Sequence, residues 1–155
     1  MTLVNLFHKI ATRVVRKLLS LLGHNTLGAR AIVINAEGQI LLVKHTYQPQ
    51  WHLPGGGVKR GESVKAAVVR ELKEETGVIA TEEPELFGIY FHDYLGVNDY
   101  PVIYVVKNFV LEESHSPEIE KIEWFHLDKL PEKVNPGTRR RLTEYVSNIQ
   151  PSERW

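Results

Sequence analysis

A chain of 155 residues has room for one hydrophobic core, and its composition is that of a soluble globular domain. The formal net charge is zero, so bulk electrostatics selects neither an anionic nor a cationic partner. The absence of cysteine excludes disulfides, zinc–thiolate centres and thiol nucleophiles, and it fits the cytoplasmic location expected here.

The charge is unevenly placed. Residues 1–36 contain Lys9, Arg13, Arg16, Lys17 and Arg30 and no acid, so a basic segment precedes an acidic domain. Leu3, Leu6, Phe7, Ile10, Val14, Leu18 and Leu21 recur at helical spacing, which predicts an amphipathic helix ending near Gly23 or Asn25. Basic residues interrupt every apolar run in it, so it is no transmembrane span, and no small-residue cleavage site follows it. Its apolar face calls for a cover: the domain itself, a homodimer partner, or a membrane surface met peripherally by residues 1–23. Residues 1–27 are therefore set apart from a domain over 28–155.

Two-residue alternation predicts strands over Ala29–Ile34 and Gln39–His45, joined by the turn Asn35-Ala36-Glu37-Gly38. A short strand is expected at Trp51–Leu53. Further strands are expected at Glu85–Tyr94, Tyr100–Val110 and Ile119–His126, with a turn over Leu95–Asp99. A last helix starts with Asn135 as N-cap and Pro136 in the first position, and its spacing predicts burial of Leu142, Tyr145, Val146 and Ile149. Strands with interspersed helices imply an α/β fold: a mixed sheet sandwiched by helices, preceded by the extra amphipathic helix.

The run Gly56–Val78, GGVKRGESVKAAVVRELKEETGV, departs from this ordinary pattern. On a helix from about Val64 to Thr76, Glu71, Glu74 and Glu75 share the face of Val64, Ala67, Val68 and Leu72. Like charges then meet at i, i+3 and i, i+4, near a helix C-terminus, on a stripe that should be buried. Arg70 neutralises one of them at most. A hard divalent cation held by oxygen ligands accounts for the others, and Mg²⁺ is the usual one in phosphate chemistry. Leu53-Pro54-Gly55-Gly56-Gly57 lets backbone groups approach a metal or phosphate closely. Ser63 and Gly77 supply the helix ends.

This run resembles the Nudix box, Gly-x5-Glu-x7-Arg-Glu-U-x-Glu-Glu-x-Gly-U with U a bulky aliphatic. Gly56, Glu62, Arg70, Glu71, Leu72, Glu74, Glu75, Gly77 and Val78 fill every position. The resemblance implies an α/β/α sandwich over roughly 28–150 and hydrolysis of a nucleoside diphosphate linked to another moiety, with Mg²⁺ or Mn²⁺ as cofactor. It implies Glu71, Glu74 and Glu75 as metal ligands, Glu62 as a further contact, and a carbonyl of Gly55 or Gly56 completing the shell. Arg70 is expected to orient a glutamate through a bidentate ion pair. The general base is Glu75, Glu71 or a later acid, with Glu118 ahead of Glu120. Lys44, His45, Trp51, Tyr94 and Tyr100 are candidate substrate contacts. The partner is a nucleotide-derived small molecule; no broad basic stripe with interleaved aromatics favours nucleic acid. The rival reading is a catalytically silent Nudix-fold module that senses a nucleotide or binds a protein.

Overall fold

The structure is a computed structural model, and it describes residues 14–15, 25–94 and 96–155. Val14 and Val15 are helical and exposed; the rest of the expected amphipathic helix lies outside the described residues. Among the described residues no helix is long and apolar enough to cross a membrane.

The strands β1 (Thr26–Val33) and β2 (Ile40–His45) are joined by the expected turn, closed by a single Ile34–Ile40 bridge, and then part into different sheets. Gly38 takes φ +73° in its turn, and Asn35 Oδ1 accepts from the Gln39 N–H at 2.8 Å. Next come β3 (Trp51–His52), α1 (Val64–Thr76), β4 (Val78–Ala80), β5 (Glu85–Ile89), β6 (His92–Tyr94), β7 (Val97–Val106), β8 (Phe109–Leu111), β9 (Ile119–Phe125) and α2 (Pro136–Val146). β7 is the centre of the larger sheet: β1 lies parallel on one edge, and β5 and β6 lie antiparallel on the other. β2 is the centre of the smaller sheet, between β3 and β9.

Alternation along β1 divides the core in two. Ala29, Ala31 and Val33 pack with Ala67, Val68 and Leu72 of α1, while Ile32 packs with Ile103, Val105 and Leu142 of α2. The result is the expected helix–sheet–helix sandwich.

Two expected strands are broken, each for a hydrogen-bonding reason. Glu85–Tyr94 is interrupted at Tyr90, whose N–H donates to the Pro101 carbonyl at 2.9 Å while Pro101 has no N–H to return the bond; the Phe91 N–H, on the outer edge, donates to the Glu153 carbonyl at 2.7 Å. Tyr100–Val110 ends at Val106, and the chain then switches partners so that β8 pairs with β4, a strand the sequence pattern did not predict. The turn into β7 is tighter than expected: Gly96 turns at φ +78°, its N–H donating to Asp93 Oδ1, and Asn98 and Asp99 already pair with β6.

The inward face of α2 also differs from the expected stripe. Leu142 is buried and Tyr145 packs edge-on against Phe87, but Val146 is exposed and Ile149 lies beyond the helix end. Arg141 takes an interior position instead, its charge met by Glu144 at 2.7 Å and its guanidinium lying 4.2 Å over the Tyr90 ring.

Gly38 and Gly77 share nearly the same left-handed φ, +73° and +72°. A Cβ at Gly38 meets nothing within 4 Å, whereas one at Gly77 collides with the Glu112 carbonyl just past β8. Gly38→Ala should therefore lose about 1–2 kcal/mol through backbone conformation alone. Gly77→Ala should lose clearly more, because β8 must also move. Urea unfolding of both variants measures this, and equal losses would reject the close approach at Gly77.

Candidate active site

α1 is fixed in phase by its ends. Ser63 Oγ accepts from the Ala66 N–H at 3.1 Å, and the left-handed Gly77 donates its N–H to the Lys73 carbonyl at 3.1 Å. The buried arc then runs through Ala67, Val68 and Leu72 to Glu75 and Thr76. The Thr76 hydroxyl satisfies itself on the Leu72 carbonyl at 2.6 Å. The Glu75 carboxylate has no such local option, and it accepts a 2.7 Å hydrogen bond from the Gly55 N–H.

That donor is held by the glycine segment, which runs antiparallel beside β1. The Ala31 N–H donates to Pro54 O, the Ala29 N–H to Gly56 O and the Val58 N–H to Leu27 O, at 2.9–3.0 Å. Gly55 takes φ +133°, and a Cβ there collides with the Ala29 carbonyl, so the approach to β1 requires glycine. At Gly56 a Cβ would stand 2.5 Å from Glu71 Oε1. Arg30, projecting from β1, donates to the Gly55 carbonyl and clamps the segment from the other side.

Arg70 gathers the other acids. Its Nε and Nη2 clasp the Glu62 carboxylate at 2.7 and 2.9 Å. Its Nη1 reaches Glu71 Oε1 at 2.6 Å and Glu74 Oε2 at 3.1 Å. The bidentate bond from Arg70, helped by the Lys59 N–H, holds the Glu62 carboxyl down at about 2. Glu75 is outside this group. Burial first, then the nearby Glu71 and Glu118 carboxylates, push its pKa up to about 7 against the opposing Gly55 hydrogen bond and Arg30.

Glu71, Glu75 and Glu118 line one cavity of about 580 Å³ with the Gly55–Gly57 segment, Arg30 and His45. Its acidic end offers hard oxygen donors, which suits Mg²⁺ or Mn²⁺. The buried carboxylate of Glu75, raised by its own desolvation and by two neighbouring acids, is what a divalent cation would relieve. Among the described residues no three carboxylates or imidazoles already stand as a metal-binding group. Arg70 draws Glu62, Glu71 and Glu74 onto itself while Glu75 is held by the loop. The Gly55 and Gly56 carbonyls each accept one hydrogen bond already, from Arg30 and Ala29, and each keeps a second lone pair.

The other expected residues are distributed as follows. Arg70 makes a bidentate pair with one glutamate, Glu62, and against the expectation of one neutralised helix acid at most it also reaches both Glu71 and Glu74, because its fork has donors to spare. His45 faces the cavity, whereas Lys44, its neighbour on the opposite face of β2, pairs with Glu120 at 2.8 Å outside it. Trp51 is buried edge-on against Phe125, so it supports the loop instead of facing a ligand. The Tyr100 ring packs against Phe91. The Tyr94 side chain lies outside the described residues.

The sequence reading missed Arg30, Tyr47, His52 and Trp155, all on the cavity wall. Arg30 carried a usable signal, a charge between Ala29 and Ala31 in a strand otherwise apolar at its centre. Trp155 carried none, because it arrives from far along the chain.

A carboxyl with a raised native pKa keeps its proton in the folded state after the unfolded chain has lost it. Between the unfolded value near 4.5 and the folded value near 7, stability therefore falls as pH rises, and the deficit is complete above that window. In chelator, Glu75→Gln should raise unfolding stability near pH 8 by up to about 3 kcal/mol and change little near pH 4. Urea titrations at the two pH values measure this; a gain of the same size at both would reject burial of the charge as its cause.

The NUDIX domain family model matches residues 24–145. A Bacillus subtilis (strain 168) protein provisionally named an 8-oxo-dGTP diphosphatase is 33% identical over 129 residues, covering 81% of this chain and 83% of that protein. An ADP-ribose pyrophosphatase of Methanocaldococcus jannaschii is 33% identical over 104 residues, covering 64% of this chain and 61% of the relative. The crystal structure of a MutT NUDIX hydrolase from Burkholderia pseudomallei superposes with a TM-score of 0.68 at 31% identity, covering 77% of this chain and 97% of that one. The unbroken run from Gly56 to Val78 thus lies inside a domain matched along most of its length, and the chain belongs to the Nudix hydrolase superfamily.

Proposed function

We propose that this protein is a Mg²⁺- or Mn²⁺-dependent pyrophosphohydrolase that cleaves a nucleoside diphosphate linked to another moiety. The observation that carries this reading is the convergence of Glu71, Glu75 and Glu118 on a cavity bordered by a close-approaching glycine segment. Glu71 and Glu75, with Glu74 and Glu62 beside Arg70, would hold the cation, and Gly55 or Gly56 would add a carbonyl. Bound there, a divalent cation supplies charge neutralisation of the pyrophosphate oxygens and a lowered pKa for the attacking water.

The side chains provide the remaining parts. Arg70 fixes the directions of three carboxylates, so that they do not reorganise freely when charge develops. Arg30, clamped on Gly55 and lining the cavity, offers a cation to phosphate oxygens. Glu118, which lines the cavity, would take the proton from water as the new P–O bond forms and the bond to the leaving phosphate oxygen breaks. The reading of a silent module is disfavoured by the acids themselves. All four box glutamates are present, and Glu75 stays buried where a sensing module would have no use for it.

The names of the relatives point to different substrates, an oxidised nucleoside triphosphate and ADP-ribose. Release of phosphate or pyrophosphate from a panel with Mg²⁺ and with Mn²⁺ tests the reading; the panel holds oxidised dGTP, ADP-ribose, dinucleoside polyphosphates and nucleotide sugars. One or more should be hydrolysed, and chelation should abolish it. Glu118→Gln should lower kcat about 10²–10⁴-fold and remove the acid limb of the pH profile. Full turnover in chelator would sink the metal-dependent reading, and an unchanged pH profile would remove Glu118 from the role of base.

A further inference from the structure

Beyond α2 the chain turns back onto the sheet. The Phe91 N–H donates to Glu153 O at 2.7 Å and the Trp155 N–H to Phe91 O at 2.9 Å, a parallel bridge centred on Arg154. The buried Arg141 secures this segment, donating through Nη1 to Arg154 O at 2.7 Å and through Nη2 to Ser152 Oγ at 3.2 Å. Arg140 Nη2 donates to Trp155 O at 2.8 Å. The indole is thereby set edge-on to Tyr90 and so close to Gly137 that a Cβ there would collide with its Nε1. Held at these points, the ring forms part of the cavity wall. A buried arginine is an expensive way to fasten a surface segment, and the segment's contribution to the cavity is this one aromatic face.

Two imidazoles line the same cavity. His45 and His52 project from β2 and β3 with ring centroids 5.7 Å apart. His45 Nδ1 and His52 Nε2 are buried and have no hydrogen-bond partner among the described residues. Burial, with Arg30 adding to it, holds both imidazoles near a pKa of about 4, so they are neutral at physiological pH. A neutral imidazole presents one donor and one acceptor and carries no charge for phosphate. That is the complement of the polar edge of a heterocycle.

We propose that Trp155, positioned by Arg141, stacks on the heterocyclic base of the bound nucleotide, and that His45 and His52 meet that base's polar edge. This rests on the hydrolase reading above and names where its substrate's base lies. Trp155 lies outside the 24–145 span matched by the family model, while His45 and His52 lie inside it.

GMP and ribose 5-phosphate serve as probes, one with a base and one without. Trp51 and Trp124 are packed on Phe125 and Phe109, so indole quenching by GMP reports on Trp155. GMP should quench the wild type, and ribose 5-phosphate should not. Measured by isothermal titration calorimetry, which needs no indole, Trp155→Ala should weaken GMP binding about 5- to 150-fold, the range of one base–aromatic stack, and leave ribose 5-phosphate unchanged. Trp155→Phe should restore most of the loss. Gly137→Ala, which leaves Trp155 in the sequence but evicts the indole, should weaken GMP as Trp155→Ala does, with circular dichroism confirming the fold. The proposal is overturned by absence of GMP binding in the wild type, by equal GMP affinity in Trp155→Ala, or by an equal loss for both probes. Hydrolysis of the panel with GMP binding indifferent to Trp155 defeats this inference alone. Trp155-dependent GMP binding with no hydrolysis of the panel defeats the hydrolase reading alone.

Discussion

Glu75 follows Val68 and Leu72 on the inward face of α1, where a carboxylate loses its water and gains no local cation. Much of the surrounding architecture answers that single placement. A backbone N–H must come to meet the carboxylate, so the chain after β3 has to run against β1 close enough to present Gly55. That approach admits no side chain at Gly55, and it brings Gly56 against the Glu71 carboxylate. Arg30 then closes on the Gly55 carbonyl from β1. The hydrogen bond does not fully offset the desolvation, since the carboxyl remains raised to about 7. A site in this condition gains from any divalent cation that reaches it, because cation binding and relief of buried charge are the same event.

Arg70 solves a different problem for the other three acids. Glu62, Glu71 and Glu74 come from the loop and from two turns of α1, and without a shared cation they would repel one another. One guanidinium with its donors in a rigid fork can engage all three at once, which a lysine could not do. The carboxylates are thus ordered before any ligand arrives. Pre-ordering of this kind reduces the reorganisation needed when phosphate charge enters the cavity. It also explains why the acids cluster on the arginine and not in a metal-like group: the guanidinium already engages the oxygens that a cation would need.

How much of this could be read from the sequence depended on distance along the chain. The helix Val64–Thr76, its Ser63 and Gly77 ends and a bidentate pair from Arg70 to one glutamate were legible because their determinants lie within about one turn or loop of each other; that this glutamate is Glu62, and that Arg70 also reaches Glu71 and Glu74, was not. The turn at Asn35–Gly38 was legible for the same reason. The break at Tyr90 was not, because it depends on which residue Pro101 of β7 comes to face. Nor was the inward face of α2. A stripe of Leu142, Tyr145, Val146 and Ile149 looks apolar, but Arg141 becomes an interior residue once Glu144, Arg154 and the Tyr90 ring surround it. Pattern rules treat arginine as exposed, and only tertiary partners reverse that. Lys44 and His45 show the limit at one-residue resolution: both end β2, and the pleat sends one to Glu120 and the other into the cavity.

The two ends of the cavity are therefore built in different ways. The acidic end is encoded locally, in one run of the chain that brings its own loop, helix, cation and stop. Few substitutions there are independent, since Gly55, Gly56, Arg70 and Glu75 each constrain another by contact. The opposite end is assembled from β1, β2, β3, α2 and the segment after α2, through contacts remote in sequence. A change at Trp155 or His52 meets none of the constraints that fix the carboxylates. The chemistry can then stay constant while the recognition surface varies, and relatives similar to this chain at the same 33% identity can bear names that cite different substrates. For this chain the recognition end is read from its neutral imidazoles and its indole. Those groups suit a flat, uncharged, hydrogen-bonding ring better than a second phosphate.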